Sequence, residues 1–423
     1  MNLIYVEDVI CCDQRRRDKK TIKEYLMLNE AGLTDDISQA DYIILITCSV
    51  TVATQEISRN LIKKSEKYQN SDRVIDIGCY RNINDREEER VPIHHIPPSL
   101  HDDIDEMMIK LNVLDEIKVP FMKLKYRGTA NPDDRETWFL SIGEGCSLHR
   151  CGYCVKYKST GVFAEVKEED ILNSFVIGAS SRYKKFRFIG EDVASWGSGR
   201  GKNFPWLVDY LLRHVDGESK RPIHFNAFMN GLNPYRLEEN KLDYYEMFSR
   251  KDCVFDGIQL AVQSFNKRII ELCERPGNPQ KWMEMIQKIK ELSPKTELWV
   301  QIIVGFPTQT IEEMEYDLDV LDSLPVDVIH IYGYSHNVGS NFYNHFNFHQ
   351  ADSDKMFEYL LEHHSGHKGT LIYHGGNKSL LISRLDPAKL NRDNSKYHRY
   401  RGLYEKQLDI HEQDIMGKIN EKL

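Results

Sequence analysis

Short apolar runs alternate with longer amphipathic stretches along most of the chain, and this alternation restricts the fold more than any other feature. "NLIYV", "ADYIILITC" and "RVIDIGC" read as strands; "DKKTIKEYLMLNEAG", closed by Gly32, and "VATQEISRNLIKKSEKY" read as the helices between them. Strand–helix–strand order brings parallel pairing with right-handed crossovers, so the first part of the chain predicts an open, doubly wound sheet. Cys48 and Cys79 each end one of these strands, and Cys11 and Cys12 follow the first. All of them fall at the carboxyl edge, where open α/β sheets bind ligands.

A second series begins beyond the irregular stretch "YRGTANPDDRE", which reads as a linker. "TWFLSIGEG", "KKFRFIGED", "RPIHFNAF", "DGIQLAVQS", "ELWVQIIVGFP" and "VIHIYGYS" read as strands, separated by helical stretches such as "NFPWLVDYLLRHV" and "PQKWMEMIQKIKEL". Six successive β/α signals predict a closed or open barrel whose chemistry sits on loops after the strands. The remainder offers a helix, "DSDKMFEYLLEHH", a hairpin, "GTLIYHGGNKSLLISRL", and a polar terminal helix rich in charge and tyrosine. The expected division is 1–125, 135–345 and 350–423.

The chain of 423 residues has nine cysteines, an odd number for a disulfide framework, so metal binding or catalysis is the better reading. Apolar runs all fall short of the roughly 18–20 residues of a membrane span, and bases follow the first apolar run, the reverse of a signal peptide. The expected compartment is the cytoplasm, with no membrane partner. A net charge of -9 gives no global pull toward nucleic acid.

Cys146, Cys151 and Cys154 lie together in "GEGCSLHRCGYC", directly after the first strand of the second series. A structural zinc needs four ligands, and no fourth stands at paired spacing nearby, since His149 is crowded between two of the cysteines. Three thiolates in one short loop suit an iron–sulfur cubane, whose fourth iron then stays open. Cys253 and Cys273 match no such pattern and read as core or helix-face thiols.

A three-cysteine loop after the first strand of a β/α barrel, with Tyr153 just before the third cysteine, resembles the radical S-adenosylmethionine (SAM) superfamily. The usual spacing is C-x₃-C-x₂-C; here four residues separate Cys146 from Cys151, so the loop must bulge by one residue. Over roughly the first 340 residues the chain resembles the methylthiotransferase family more closely. "LITCSVTVA" and "DIGCY" are similar to that family's N-terminal Thr-Cys-Ser-Val and Gly-Cys. "FIGEDVASWG", "LAVQS", "IIVGFPTQT" and "YSHNVGS" follow the order of its barrel motifs. The resemblance implies an α/β chain with a flavodoxin-like N-terminal domain, a partial (β/α)6 radical SAM barrel and, here, a small α+β C-terminal domain in place of the family's basic β-barrel.

The resemblance further implies two 4Fe–4S clusters and SAM as cofactors. Cys146, Cys151 and Cys154 would hold the SAM-binding cluster. Cys48, Cys79 and Cys12, with Cys11 as the alternative to Cys12, would hold an auxiliary one. Tyr153, Gly190, Glu191, Gln263, Ser264, Val304 and Gly305 would surround SAM; a carboxylate at Glu191 suits an ammonium, and Gly305 permits close backbone approach. No catalytic acid or base is assigned.

The implied enzyme is a radical SAM methylthiotransferase that adds a methylthio group at an unactivated C–H, fed by an external electron donor such as flavodoxin or ferredoxin. The missing basic barrel and the net charge favour a peptide or protein substrate, such as a ribosomally made precursor peptide gripped by the C-terminal region. A tRNA adenosine is the alternative. A non-catalytic iron–sulfur or zinc scaffold is the reading from another class.

Overall fold

A computed structural model describes residues 2–9, 12–80, 83, 93–131, 136–148, 150–161, 163–214, 222–363, 370–374 and 379–385. The expected terminal helix falls in 386–423, outside the described residues, as do Cys11 and His149.

The first sheet contains β1 (Leu3–Asp8), β2 (Gly32–Thr34), β3 (Tyr42–Ile46), β4 (Val74–Asp76) and β5 (His94–His95). Its order is β2-β1-β3-β4-β5, parallel throughout, which is the flavodoxin-like arrangement. Every residue of β3 is buried, as its unbroken apolar run requires for a central strand with both faces covered. Helix α1 (Asp13–Leu28) follows β1, and α2 (Val52–Ser65) follows β3 behind a Thr51–Thr54 capping box.

Two details differ from the sequence reading. Helix α1 starts at Asp13, so "DQRRRD" is helical, and it ends before Gly32, which opens β2. The arginine run is polar all round and carries no apolar periodicity to announce a helix.

Among the described residues the second sheet has nine strands. Its parallel barrel strands are β7 (Thr137–Ser141), β10 (Lys185–Ile189), β11 (Ile223–Leu232), β12 (Cys253–Gln263), β13 (Glu297–Val304) and β14 (Val328–Gly333). Antiparallel β6 (Thr129–Ala130) borders β7, while β8 (Gly143–Glu144) and β9 (Ala164–Glu165) form a separate pair beside the cysteine loop. The predicted hairpin is present as β15 (Thr370–His374) and β16 (Ser379–Ser383), and β16 pairs antiparallel with β14. These strands therefore continue the barrel sheet.

Apolar faces of the barrel strands and their outer helices close one large core, with Phe186, Phe188 and Phe255 each packed on Phe225. The helix Gln350–His363 covers the last barrel strands, burying Phe357, Leu360 and Leu361 in that core.

Candidate functional site

The carboxyl edges of the two sheets face each other. Val52 N–H at the start of α2 donates to Ser335 Oγ beyond β14 (3.0 Å), and Asn337 Nδ2 donates to Val50 O (3.2 Å). On the other side Arg15 of α1 reaches Glu144 of β8 (2.7 Å).

On the N-terminal edge, Cys12 is the extended residue that precedes α1, and Cys48 and Cys79 follow the adjacent strands β3 and β4. Backbone and side-chain bonds fix the latter two. Cys79 N–H donates to Thr47 O (3.0 Å), Cys48 N–H donates to Ser58 Oγ (2.9 Å), and Asp76 accepts from the Thr47 hydroxyl and Gly78 N–H (2.9 Å each). A Cβ on Gly78 would lie 2.0 Å from Thr47 N, so glycine is what lets the strand ends touch. Burial pushes the Cys79 thiol up, opposed by Arg15 and Lys156 and reinforced by Cys48 and Cys12, so the three thiols are electrostatic neighbours.

On the barrel edge, Gly145 takes φ 79° and turns the chain into the cysteine loop. Gly152 is clamped, its N–H donating to Cys273 O (3.0 Å) and its carbonyl accepting from Phe342 N–H (2.8 Å). Burial pushes Cys146 up, helped by Asp192, whose Oδ2 lies 3.7 Å from its sulfur. Burial and Cys151 lift Cys154 to about 11, although Lys156 N–H donates to its sulfur (3.4 Å). A bound iron would offset this cost, because thiolate is the ligating form.

The residues expected around SAM occupy the same edge. Tyr153 packs on Phe306 (ring centroids 5.4 Å apart) and its hydroxyl accepts from Arg275 Nη1 (3.0 Å). Gly190 leaves only 3.2 Å between a notional Cβ and Gly143 O. Glu191 Oε2 accepts Gly145 N–H (2.9 Å), while its buried Oε1 has no hydrogen-bond partner. Gln263 holds φ 75°, unusual for a residue with a side chain, and its buried Oε1 is likewise unpartnered. Gly305 sits at φ 82° against Ser353 and donates its N–H to Gln309 Oε1 (2.7 Å). Ser264 spends its hydroxyl on Asp317 (2.7 Å), and the Val304 side chain belongs to the barrel core.

Sequence reasoning missed several charged residues here. Arg275 is buried, 3.9 Å from Cys151 Sγ, and donates to Ala261 O (2.5 Å), tying the end of β12 to the cysteine loop. Between the two edges lies a buried charge network. Glu144 takes Arg15 (2.7 Å), Arg17 (2.6 Å) and Lys125 (3.8 Å); Asp18 takes Arg15 (2.6 Å) and Arg17 (2.7 Å); Glu191 takes Lys156 (3.7 Å) and Arg15 (3.9 Å). His101 beside it is held neutral by burial, its value depressed to about 3. Four cations thus share three carboxylates.

Among the described residues no three His, Cys, Asp or Glu side chains close on a single ion-sized point.

Residues 140–321 match the Radical SAM superfamily, and residues 5–95 match the family described as Uncharacterized protein family UPF0004. The fold and the cysteine loop thus define a radical SAM enzyme with a second, cysteine-bearing domain in front of its barrel. Similar proteins include ribosomal protein uS12 methylthiotransferase RimO of Thermodesulfovibrio yellowstonii, 23% identical over 79% of this chain and 75% of that one. Others are threonylcarbamoyladenosine tRNA methylthiotransferase MtaB of Aquifex aeolicus (23%; 78% and 79%) and tRNA-2-methylthio-N(6)-dimethylallyladenosine synthase of Deinococcus radiodurans (23%; 79% and 66%). With both domains matched in this order, the chain is similar to radical SAM methylthiotransferases, enzymes that use SAM and two 4Fe–4S clusters. Among solved structures, the radical SAM methyltransferase TsrM of Kitasatospora setae shares the fold at TM-score 0.56 and 10% identity, covering 97% of this chain and 89% of that one. The radical SAM enzyme OxsB shares it at 0.52 and 12%, covering 90% and 64%. No helix among the described residues is long and apolar enough to cross a membrane.

Proposed function

We propose that the chain methylthiolates an adenosine of a transfer RNA, with Cys146, Cys151 and Cys154 holding the SAM-binding cluster and Cys12, Cys48 and Cys79 holding the second. The observation that supports the two-cluster chemistry is the facing of two sheet edges, each bearing a cysteine trio, across a charged seam, while the tRNA target rests on the relatives matched over the same span. When bound, the clusters and SAM supply reductive cleavage of SAM and the methylated sulfur that is transferred.

The chain's own residues orient and shield. Glu191 Oε1, which has ion-pair neighbours in Lys156 and Arg15 but no hydrogen-bond partner, is an acceptor for the SAM ammonium, and the Gln263 side-chain oxygen is a second acceptor. Gly305 holds the backbone where a side chain would not fit, and Gly190 leaves little room for one. Tyr153, Phe306, Tyr334 and Phe342 form an aromatic wall that excludes water.

The tRNA reading takes precedence over the expected precursor peptide. Relatives matched over the same span are named for tRNA adenosines or a ribosomal protein. Net charge, which favoured a peptide, does not describe one local face.

Anaerobically reconstituted protein should bind about eight irons, two cubanes of four. Replacing Cys146, Cys151 and Cys154 by Ala should halve the iron and abolish SAM cleavage. Mass spectrometry of tRNA nucleosides from cells with and without the gene should reveal methylthioadenosine only with it. Unchanged tRNA alongside a methylthiolated ribosomal protein would replace the substrate.

A further inference from the structure

Alternation along the barrel strands sorts their side chains into two faces. Val262, Val300, Ile302, Val304, Ile329 and Ile331 belong to the core under the outer helices and are 0–2% exposed. The lumen-facing residues that alternate with them are more open: Ala261, Gln301, Ile303 and Tyr332 are all partly exposed. A barrel lumen is ordinarily filled by branched apolar side chains, so this exposure marks a hollow inside the barrel.

Its layers follow from the strand register. Trp299, Val328 and Leu381 form a buried apolar floor. Above them Ala261, Gln301 and His330 are direct partners across β12, β13 and β14, and Gln259 Nε2 donates to Gln301 Oε1 (3.2 Å). Ile303 and Tyr332 are partners in the next row, where the Tyr332 ring lies on His330 (centroids 4.0 Å apart). Ile303 and Tyr153 both pack on the cluster of Phe306, Tyr334 and Phe342, so the hollow opens beside the residues expected around SAM. Across the lumen, Arg187 is spent on Asp13 (3.2 Å) and Asn226 (2.8 Å). Recognition in the hollow therefore falls to neutral amides and a ring, which suits a base better than a phosphate.

Resting on the tRNA reading above, we propose that this hollow receives the flipped target adenine and that Gln301 reads it. Gln259 takes one lone pair of the Gln301 carbonyl, leaving the second lone pair and Nε2 for a ligand. That acceptor and donor match the N6 hydrogen and N7 of adenine, and the Tyr332 ring offers a stacking face. Guanine carries an acceptor, O6, in place of the N6 hydrogen and leaves the Gln301 oxygen unmatched. A base held by its N6/N7 edge also presents the opposite edge, with C2, at the mouth beside SAM.

The test uses full-length anaerobic holoenzyme with SAM, sulfide, dithionite and total tRNA from cells lacking the gene, and measures methylthioadenosine and 5′-deoxyadenosine together. Gln301→Leu, of similar volume, should lower kcat/KM for tRNA about 10–100-fold, mainly through KM, and raise the 5′-deoxyadenosine formed per methylthio group. Gln301→Glu keeps the acceptors, loses the donor and should fall in the same direction; it decides the matter where Gln301→Leu loses iron. An unchanged kcat/KM, a fall in kcat with the product ratio unmoved, or loss of iron from both variants would each overturn the proposal while leaving the tRNA reading intact. A parent enzyme that leaves tRNA unmodified would overturn the tRNA reading, and this proposal with it.

Discussion

Gly78 has almost no free space around it, and every neighbour is fixed. A Cβ there would lie 2.0 Å from Thr47 N and 2.5 Å from Thr47 O, both backbone atoms at the end of β3. Gly78→Ala must therefore part the strand ends that carry Cys48 and Cys79, at a cost of about 1–3 kcal/mol or more. Iron should fall from about eight per chain toward four while SAM cleavage at the barrel persists; eight irons in the variant would refute this account of the glycine. The sequence displays "DIGC" plainly, but the reason for its glycine is a contact with a residue 31 positions earlier. Arg275, Asp192 and Lys156 were hidden for a related cause. Charged residues in loops are solvated by default, and only the assembled seam shows that these are enclosed.

Among the elements, barrel strands were the most legible because each is a short apolar run ending in glycine or a polar residue. Helix α1 was the least legible at its start, because Asp13, Arg15 and Arg17 are buried against charge on the barrel, and Asp18 against Arg15 and Arg17, rather than against an apolar face. The helix Ile311–Ser323 shows another such pairing. Its Asp317 accepts from Ser264 Oγ (2.7 Å) and from the N–H groups of Phe265 (2.6 Å) and Asn266 (3.1 Å), fixing the loop that carries Gln263. Burial outweighs these donors and lifts Asp317 to about 7. Between the ordinary carboxylate range and pH 7 the folded chain thus holds a proton that the unfolded chain releases. Stability from this group is fully present below that range and is lost as pH rises toward 7. Asp317→Asn keeps an acceptor for the two N–H groups and a donor for Ser264, but cannot ionise. Its stability relative to the parent, from denaturant titrations of apoprotein, should rise by about 2–3 kcal/mol between pH 5 and pH 8. A difference that does not change with pH would show that the carboxylate is already ionised at pH 5.

At the scale of the whole molecule, the order of two α/β units could be read from the chain, whereas the way their edges close on each other could not, since it depends on contacts between distant residues such as Arg15 and Glu144. The C-terminal part shows the same limit. Read by itself, the segment from residue 350 is a helix and a hairpin that suggest a separate recognition unit. In the structure Ser353 seals Gly305 and bonds Tyr334 O (2.9 Å), while β16 pairs along β14. A chain ending at residue 349 would lose Phe357, Leu360, Leu361, Leu380, Leu381 and Ile382, all buried. At about 1.5–3 kcal/mol for each side chain the loss is roughly 9–18 kcal/mol, as large as the stability of a typical domain. That chain should fail to fold or to hold iron. One ending at residue 385 keeps all of these contacts and should melt cooperatively, bind about eight irons and cleave SAM. Circular dichroism melts and iron analysis of the two chains decide it; a soluble 349-residue chain with a full iron complement would show that the barrel closes without its C-terminal cover.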